Sequence, residues 1–293
     1  MANLRTAALL LIAVTSSGIA SVYAQDAKAK PSADSEDTLS IDEVSSKKEL
    51  SPAIKDAMAH MERLKVFSSA RGDEAEVELH PNPVLIYSDV VRGHESGTLW
   101  VWGKAGRPVA LMELYRDGNK SQPTIHALTM TSPDLIRFKG HVGPEWTPRS
   151  SHFKLQDVPN SPEVGETPVV RLRQMKAVAR QFTAHELWGG RQELRLLIQP
   201  VHRYVDDSNQ VVDGAVFVLA HATNPEVILQ IEAIADGEKQ HWKYSLARLG
   251  SAELHVEFDN NEVWSAPQTG TGTPLEPYWL LYTPASANAL KSE

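Results

Sequence analysis

The sequence predicts an α+β protein made of two tandem modules, each a helix packed on an antiparallel sheet. A β-sandwich with peripheral helices is the alternative. Three observations lead there. A stretch occurs twice, as Pro83-Val84-Leu85-Ile86-Tyr87-Ser88-Asp89 and, 117 residues later, as Pro200-Val201-His202-Arg203-Tyr204-Val205-Asp206. Residues 83–111 and 200–228 share eight identities in 29 ungapped positions, Gly97 with Gly214 and Pro108 with Pro225 among them. Ordinary residue usage gives roughly two. Each copy also follows a helical apolar pattern and precedes runs of β-branched and aromatic residues broken by turn chemistry.

Taken in order, residues 1–24 read as an export signal, with Arg5 ahead of an apolar run and Val22-Tyr23-Ala24 as a cleavage pattern. The uninterrupted apolar run falls short of the ~20 residues that a membrane span needs. Residues 25–50 are acidic and poor in apolar side chains, so they read as a disordered spacer that cannot offset its ordering entropy. Ser51-Pro52 then starts a helix, serine as N-cap and proline in the first helical position. Ile54, Ala57, Met58, Met61 and Leu64 give it one apolar face. Thr167-Pro168 repeats the device, with Leu172, Met175, Val178, Ala179 and Phe182 as the face. Met58 with Met175 and Arg63 with Arg180 keep the 117 spacing, so the repeat begins at the helix.

Strands are expected over 74–79 and 191–198, each leading into the repeated stretch. Residues 97–103 and 214–220 are strongly β-forming, and 104–108 and 221–225 turn the chain back into strands at 109–115 and 226–234. Further strands are expected near 124–131, 134–139, 241–247 and 252–258. Leu128 with Leu246 and Trp146 with Trp264 are 118 apart, one residue having been gained. The resulting division is a first module at 51–147, a proline-containing connector at 148–166, a second module at 167–265 and an extension at 266–293. In the extension Tyr278, Trp279, Leu280, Leu281 and Tyr282 form an apolar segment. It reads either as a last strand or plug over one core, or as an exposed peptide that docks a partner.

Composition narrows the function classes. The 293 residues are 42% hydrophobic, enough for a core, and carry a net charge of −8. No nucleic-acid partner is expected, because phosphate contacts need a basic surface. The absence of cysteine removes thiol enzymes, disulfides, lipoprotein attachment and cysteine-based metal sites. Of eleven histidines, His94-Glu95 and His185-Glu186 lack the second histidine that would put two ligands on one helix face. The carboxylate-rich loop from Asp206 fails as a calcium loop, with Val211 where glycine is needed and Phe217 where glutamate is needed. No Gly-x-Ser-x-Gly elbow, phosphate loop or dinucleotide fingerprint is present, so no cofactor and no metal is expected. The matched residues read as architecture. Function is sought where the copies differ: His202, Arg203 and His221 stand in place of Leu85, Ile86 and Lys104, and with Asp206 they are the candidates for polar recognition.

Arg171-Leu172-Arg173-Gln174-Met175, Ala184-His185-Glu186, Glu193-Leu194-Arg195-Leu196-Leu197, Gln199-Pro200-Val201-His202-Arg203-Tyr204, Asp213-Gly214-Ala215-Val216-Phe217 and Thr223-Asn224-Pro225-Glu226-Val227 resemble a family of exported planctomycete proteins, as does 97–115. The resemblance covers roughly 52–265. It implies a recurring exported architecture and brings no catalytic residue, ligand or reaction. The first expectation is an exported non-catalytic binding or scaffold protein, with an envelope protein as a possible partner. A second is an exported hydrolase with a dispersed site near His202, His221 and Asp206. A third is a carrier with an apolar cavity between helix and sheet. Paired modules would place a cleft at their interface.

Overall fold

Proline in the first helical position opens both helices, where its missing N–H leaves no bond unmade. Helix α1 spans Pro52–Met61 and α2 spans Pro168–Ala179. Thr167 caps α2, its Oγ1 accepting from the Val170 N–H at 3.3 Å, whereas Ser51 makes no side-chain cap bond. The computed structural model describes residues 51–69, 74–89, 94–117, 124–140 and 143–283. The expected signal 1–24 and spacer 25–50 lie outside the described residues, as does the tail beyond 283.

Antiparallel sheet dominates, and the fold lies closer to the alternative, a β-sandwich with peripheral helices, than to the α+β expectation. Strands β3 (Leu85–Asp89), β4 (His94–Trp102), β5 (Ala110–Asp117), β6 (Thr124–Met130) and β16 (Tyr278–Thr283) form one sheet, ordered β16-β6-β5-β4-β3. Beside it β1 (Lys65–Ser68), β2 (Ala75–Val77) and β7 (Ile136–Lys139) form a small sheet ordered β2-β1-β7. The second half of the chain supplies an eight-stranded sheet. Its strands are β8 (Gln156–Asp157), β9 (Phe182–Leu187), β10 (Arg191–Asp206), β11 (Val211–His221), β12 (Asn224–Asp236), β13 (Lys239–Arg248), β14 (Glu253–Phe258) and β15 (Asn261–Ala266). They run in the order β15-β14-β9-β10-β11-β12-β13-β8.

The correction has a physical cause. The central strands of both large sheets are buried on both faces, whereas β14 alternates between buried and half-buried positions. On β4, Trp100 and Trp102 pack with Met61 of α1, while Leu99 and Val101 point the other way. On β11, Phe217 and Leu219 pack with Met175 of α2, while Val216 and Val218 point away. The outward sets meet, and Leu99, Val101, Leu111, Val216, Val218 and Ile228 share a third core between the sheets. The layers are therefore α1, five-stranded sheet, eight-stranded sheet, α2. Apolar residues at consecutive strand positions are the mark of a sheet covered on both sides.

Pairing registers recur along the chain. Tyr87 faces Gly97 and Tyr204 faces Gly214, while Val101 faces Leu111 and Val218 faces Ile228. Further on, Leu114 faces His126 and Ile231 faces Tyr244, and Phe138 bridges Trp146 as Val256 pairs with Trp264. Each glycine makes room for its tyrosine: a Cβ on Gly97 or Gly214 would collide with the ring of Tyr87 or Tyr204. The halves differ in the course that leads into the repeated stretch. Residues 191–206 form one strand with a register shift between Leu197 and His202, not the two strands expected. In the first half Pro81-Asn82-Pro83 breaks the same course into β2 and β3, since proline cannot donate to a ladder.

The apolar segment of the extension is β16, paired with β6 from Tyr278↔Thr129 to Thr283↔Thr124. Trp279 and Leu281 enter the α1-side core, and Tyr278 and Leu280 enter the core between the sheets. All four are buried, which corrects the docking expectation for them: their apolar surface is already covered by the protein itself. Tyr282 alone of the five stays exposed, at 47%. The connector also carries an unexpected short strand, β8, which extends the other sheet at β13. No described helix is long and apolar enough to cross a membrane.

Candidate functional site: a cleft between the two sheets

The apolar layer between the sheets holds buried polar groups at two places. The first is set by the β4–β5 turn, where Gly103 and Gly106 have φ of 106° and 121°. That turn carries Arg107 across to the other sheet. Its Nε and Nη2 donate to the two oxygens of Glu232 at 2.7 and 2.8 Å, and the side chains are 6% and 0% exposed. Tyr204 also donates to Glu232, at 2.7 Å. Gln230 donates to the Tyr204 hydroxyl and accepts from Ser245 Oγ. Burial alone would lower the Arg107 pKa, but the hydrogen bonds and charge of Glu232 outweigh it and raise it. The buried groups here satisfy one another, and Arg107 also lines a space of about 450 Å³ beside the β4–β5 turn.

The second place is open. Tyr87 donates to Glu113, and Asn224 Nδ2 donates to Glu226 Oε1 at 2.9 Å. Glu113, Glu226 and Glu186 are 3%, 2% and 0% exposed, and all three line a cleft of about 560 Å³. Tyr115, Tyr278, Trp188 and Tyr282 supply its aromatic surface. Trp188 is 52% exposed on the β9–β10 turn, where Gly189 and Gly190 have positive φ and the Trp188 N–H bonds to the Gly190 carbonyl. With Tyr282 it forms an exposed aromatic rim.

Tyr278 is the unusual wall residue. It is 6% exposed, and its buried hydroxyl has no hydrogen-bond partner. Burial raises its pKa, Arg248 opposes the rise, and Glu113, Glu226 and Tyr282 add to it. Those last three groups line the cleft together with Tyr278. Burial, with Glu113 adding, likewise raises the Tyr115 pKa, and both phenols are neutral at physiological pH. Arg248 stacks 5.0 Å over the Tyr278 ring, but its donors are directed at the carbonyls of Gly250, Pro267 and Ala252. A larger space of about 700 Å³ shares Tyr278 and is walled by Trp264, Met130, Leu246 and Leu275. It lacks buried carboxylates, so the smaller cleft carries the recognisable chemistry.

The residues singled out in the sequence do not assemble. Asp206 pairs with Val211 at one end of β11, and His221 lies at the other end. Ten residues of strand separate those ends, about 33 Å. No hydrogen bond joins His202, Asp206 and His221. Asp206 instead accepts from the backbone N–H of Arg107 at 2.9 Å and from Asn209, holding the turn that delivers Arg107. Arg203 donates to Asp213 at 2.8 and 2.5 Å and to the Pro168 carbonyl, while Arg171 donates to the same Asp213 at 2.9 Å. This triad ties α2 to β10 and β11, a structural use of charge. Among the described residues, no group of three or more histidine or carboxylate side chains is placed to hold a metal ion. The space lined by Ile54, Ala57 and Leu114 beneath α1 is about 50 Å³. Ligand pockets start at roughly 300 Å³.

His202 lies buried between Tyr204, stacked at 5.8 Å, and His80, edge-on at 5.7 Å. Burial, with His80 adding, pushes its pKa down to about 4. An unfolded histidine titrates near ~6.5, so the unfolded chain takes up the proton first as pH falls. The contribution of neutral His202 is complete above ~6.5 and is lost as pH falls toward 4, a swing of ~3 kcal/mol. His202→Leu, which installs the residue found at position 85, is expected to flatten the denaturation midpoint between pH 7 and 4. An unchanged slope in that variant would assign the acid sensitivity elsewhere.

Glu113, Glu226, Asn224 and Trp188 were not singled out as site residues in the sequence, and Tyr278 only as part of the apolar segment 278–282. They come from β5, β12, the β9–β10 turn and β16, so no local spacing joins them. One signal was available: Glu113 interrupts the apolar run Ala110-Leu111-Met112 on a strand buried on both faces. No family model, curated protein or solved structure matches the chain.

Proposed function

We propose that this chain is a tandem duplication exported as a non-catalytic binding protein, with its ligand site in the cleft between the two sheets. The recurring registers 117 and 118 residues apart support the duplication. The signal pattern of residues 1–24 and the resemblance to exported planctomycete proteins support export. One observation carries the site: a tyrosine hydroxyl, buried in the wall of a 560 Å³ cleft, has no protein partner. Such a group costs free energy unless something bonds to it, and a ligand would relieve that cost. The cleft volume falls in the range of small-molecule sites, and its rings and carboxylates offer stacking surface and acceptors together.

The test is a thermal-shift panel of small polar, charged and sugar molecules on residues 25–293. A ligand at a hundred times its Kd stabilises by about 2.7 kcal/mol. Trp188→Ala is expected to leave basal stability within ~0.5 kcal/mol, since the ring is half exposed. It should also reduce the ligand-induced shift. A panel with no hit, or with hits that Trp188→Ala does not weaken, would overturn the assignment of the site.

A further inference from the structure

We propose that the protein takes an extended segment of a partner protein as an added β-strand, in a seam between β13 and the end of β15. This goes beyond the cleft proposed above. The seam is the larger space of about 700 Å³, and of the cleft's wall it shares only Tyr278.

The first half shows how such a seam is filled. Its walls are β6 and residues 146–149, and residues 274–283 of the extension bond to both. On one wall the Thr147 and Arg149 N–H groups donate to the Pro274 and Leu275 carbonyls at 2.7 and 2.9 Å, and the Trp146 indole donates to the Glu276 carbonyl at 2.6 Å. On the other wall the Met130 N–H donates to the Pro277 carbonyl at 3.0 Å, and the ladder of β16 on β6 follows. At the 118 spacing Leu128 and Met130 correspond to Leu246 and Arg248, and Trp146 and Thr147 to Trp264 and Ser265. The register agrees, since Phe138 bridges Trp146 as Val256 pairs with Trp264. These four second-half residues all line the 700 Å³ space.

No described segment fills the second seam. β8 pairs with β13 at Lys243 and Tyr244, and Val158 donates to the Trp242 carbonyl on the same side. Main-chain groups two residues apart face one side of a strand, so Leu246 and Arg248 present theirs to that edge too. Among the described residues neither has a main-chain partner there. Trp264 is half-buried and its indole N–H meets no described acceptor, whereas Trp146 is fully buried. An open edge of this kind accepts an extended peptide, which main-chain bonds hold and alternate side chains specify. Leu246, Trp264 and Ala266 offer one apolar wall, and Met130, Leu275 and Tyr278 another, so the segment is apolar at alternate positions. It is uncharged where it meets Leu246, since a charge there would lose its water without a partner. Arg248 asks for none: it donates to the carbonyls of Gly250, Ala252 and Pro267, the last bond joining the two walls. The chain's own described segment of this pattern, β16, is already buried against β6, so the occupant comes from another protein.

The test is hydrogen–deuterium exchange of the purified protein with a capped peptide of residues 274–283, the segment that the first seam accepts. The same peptide N-methylated at alternate amides is the control. The first peptide is expected to slow exchange at Leu246, Arg248 and Ser265 by about tenfold or more. The N-methylated peptide cannot complete the ladder and should leave all three unchanged. Ser265→Pro removes one donor from the wall at an exposed position of an edge strand, where proline is tolerated, and should weaken the peptide by about fivefold. Equal protection by both peptides, or no protection at millimolar peptide, would overturn the proposal. So would faster exchange in β16, the mark of a peptide that displaces it. Protection of the three amides that rises with protein concentration alone would assign the seam to a second copy and overturn the partner. The thermal-shift panel decides the cleft separately.

Discussion

Removal of residues 267–293 is expected to cost the protein its first sheet and not merely a tail. β16 places Trp279 and Leu281 in the α1-side core and Tyr278 and Leu280 in the core between the sheets, at 5%, 8%, 6% and 9% exposure. Each such side chain contributes roughly 1.5–3 kcal/mol of burial. Four together are of the order of the 5–15 kcal/mol that holds a whole domain. The deletion also strips β6 of its partner, leaving an unpaired and apolar edge. Chemical denaturation followed by tryptophan fluorescence and circular dichroism should find no cooperative transition for the five-stranded sheet. Two point variants grade the effect: Trp279→Ala at ~3–5 kcal/mol and Leu281→Ala at ~2–5 kcal/mol. A truncated chain that melts within ~1 kcal/mol of the full one would make β16 peripheral.

Arg107→Ala is expected to cost about 3–5 kcal/mol, because it leaves the Glu232 carboxylate buried without its cation. Adding Glu232→Gln should recover a large part of that loss, since an amide needs no counter-charge. The exposed pair between Arg137 and Glu74 has similar bond lengths, 2.8 and 2.6 Å, yet its side chains are 32% and 42% exposed. Arg137→Ala should cost only ~0–1 kcal/mol. A double-mutant cycle on each pair checks the contrast, and equal coupling energies would refute it.

How far the sequence could be read depended on how local each signal was. The helix starts at Ser51-Pro52 and Thr167-Pro168 lie where proline chemistry puts them. The turn at 104–108 falls between β4 and β5 as its residues dictate, whereas the second is tighter than 221–225, with only Ala222 and Thr223 between β11 and β12. The layer order was harder. Leu99-Trp100-Val101-Trp102 and Val216-Phe217-Val218-Leu219 are apolar at every position, which reports two buried faces, yet the helix starts drew attention to one face only. His202, Arg203 and Asp206 were conspicuous because they differ from, or repeat in, the first copy, but Arg203 and Asp206 serve ion pairing and turn support. Asn224 differs from its counterpart too, as the first residue of β12 where Arg107 lies in the β4–β5 turn. Its weight depends on knowing that Arg107 spans the two sheets, which is a tertiary fact.

The pairing of β16 with β6 has a consequence in time. His126 and Leu281 meet across 155 residues of chain. As the polypeptide is made, α1 and β1 to β7 are complete long before the strand that closes their sheet exists. The eight-stranded sheet needs nothing beyond Ala266 for its ladder. It can therefore form first, although all eight of its strands come second in the chain. The first half then waits, its apolar edge open to chaperones or to another copy, until the end of the chain arrives. Long-range closure of this kind slows folding.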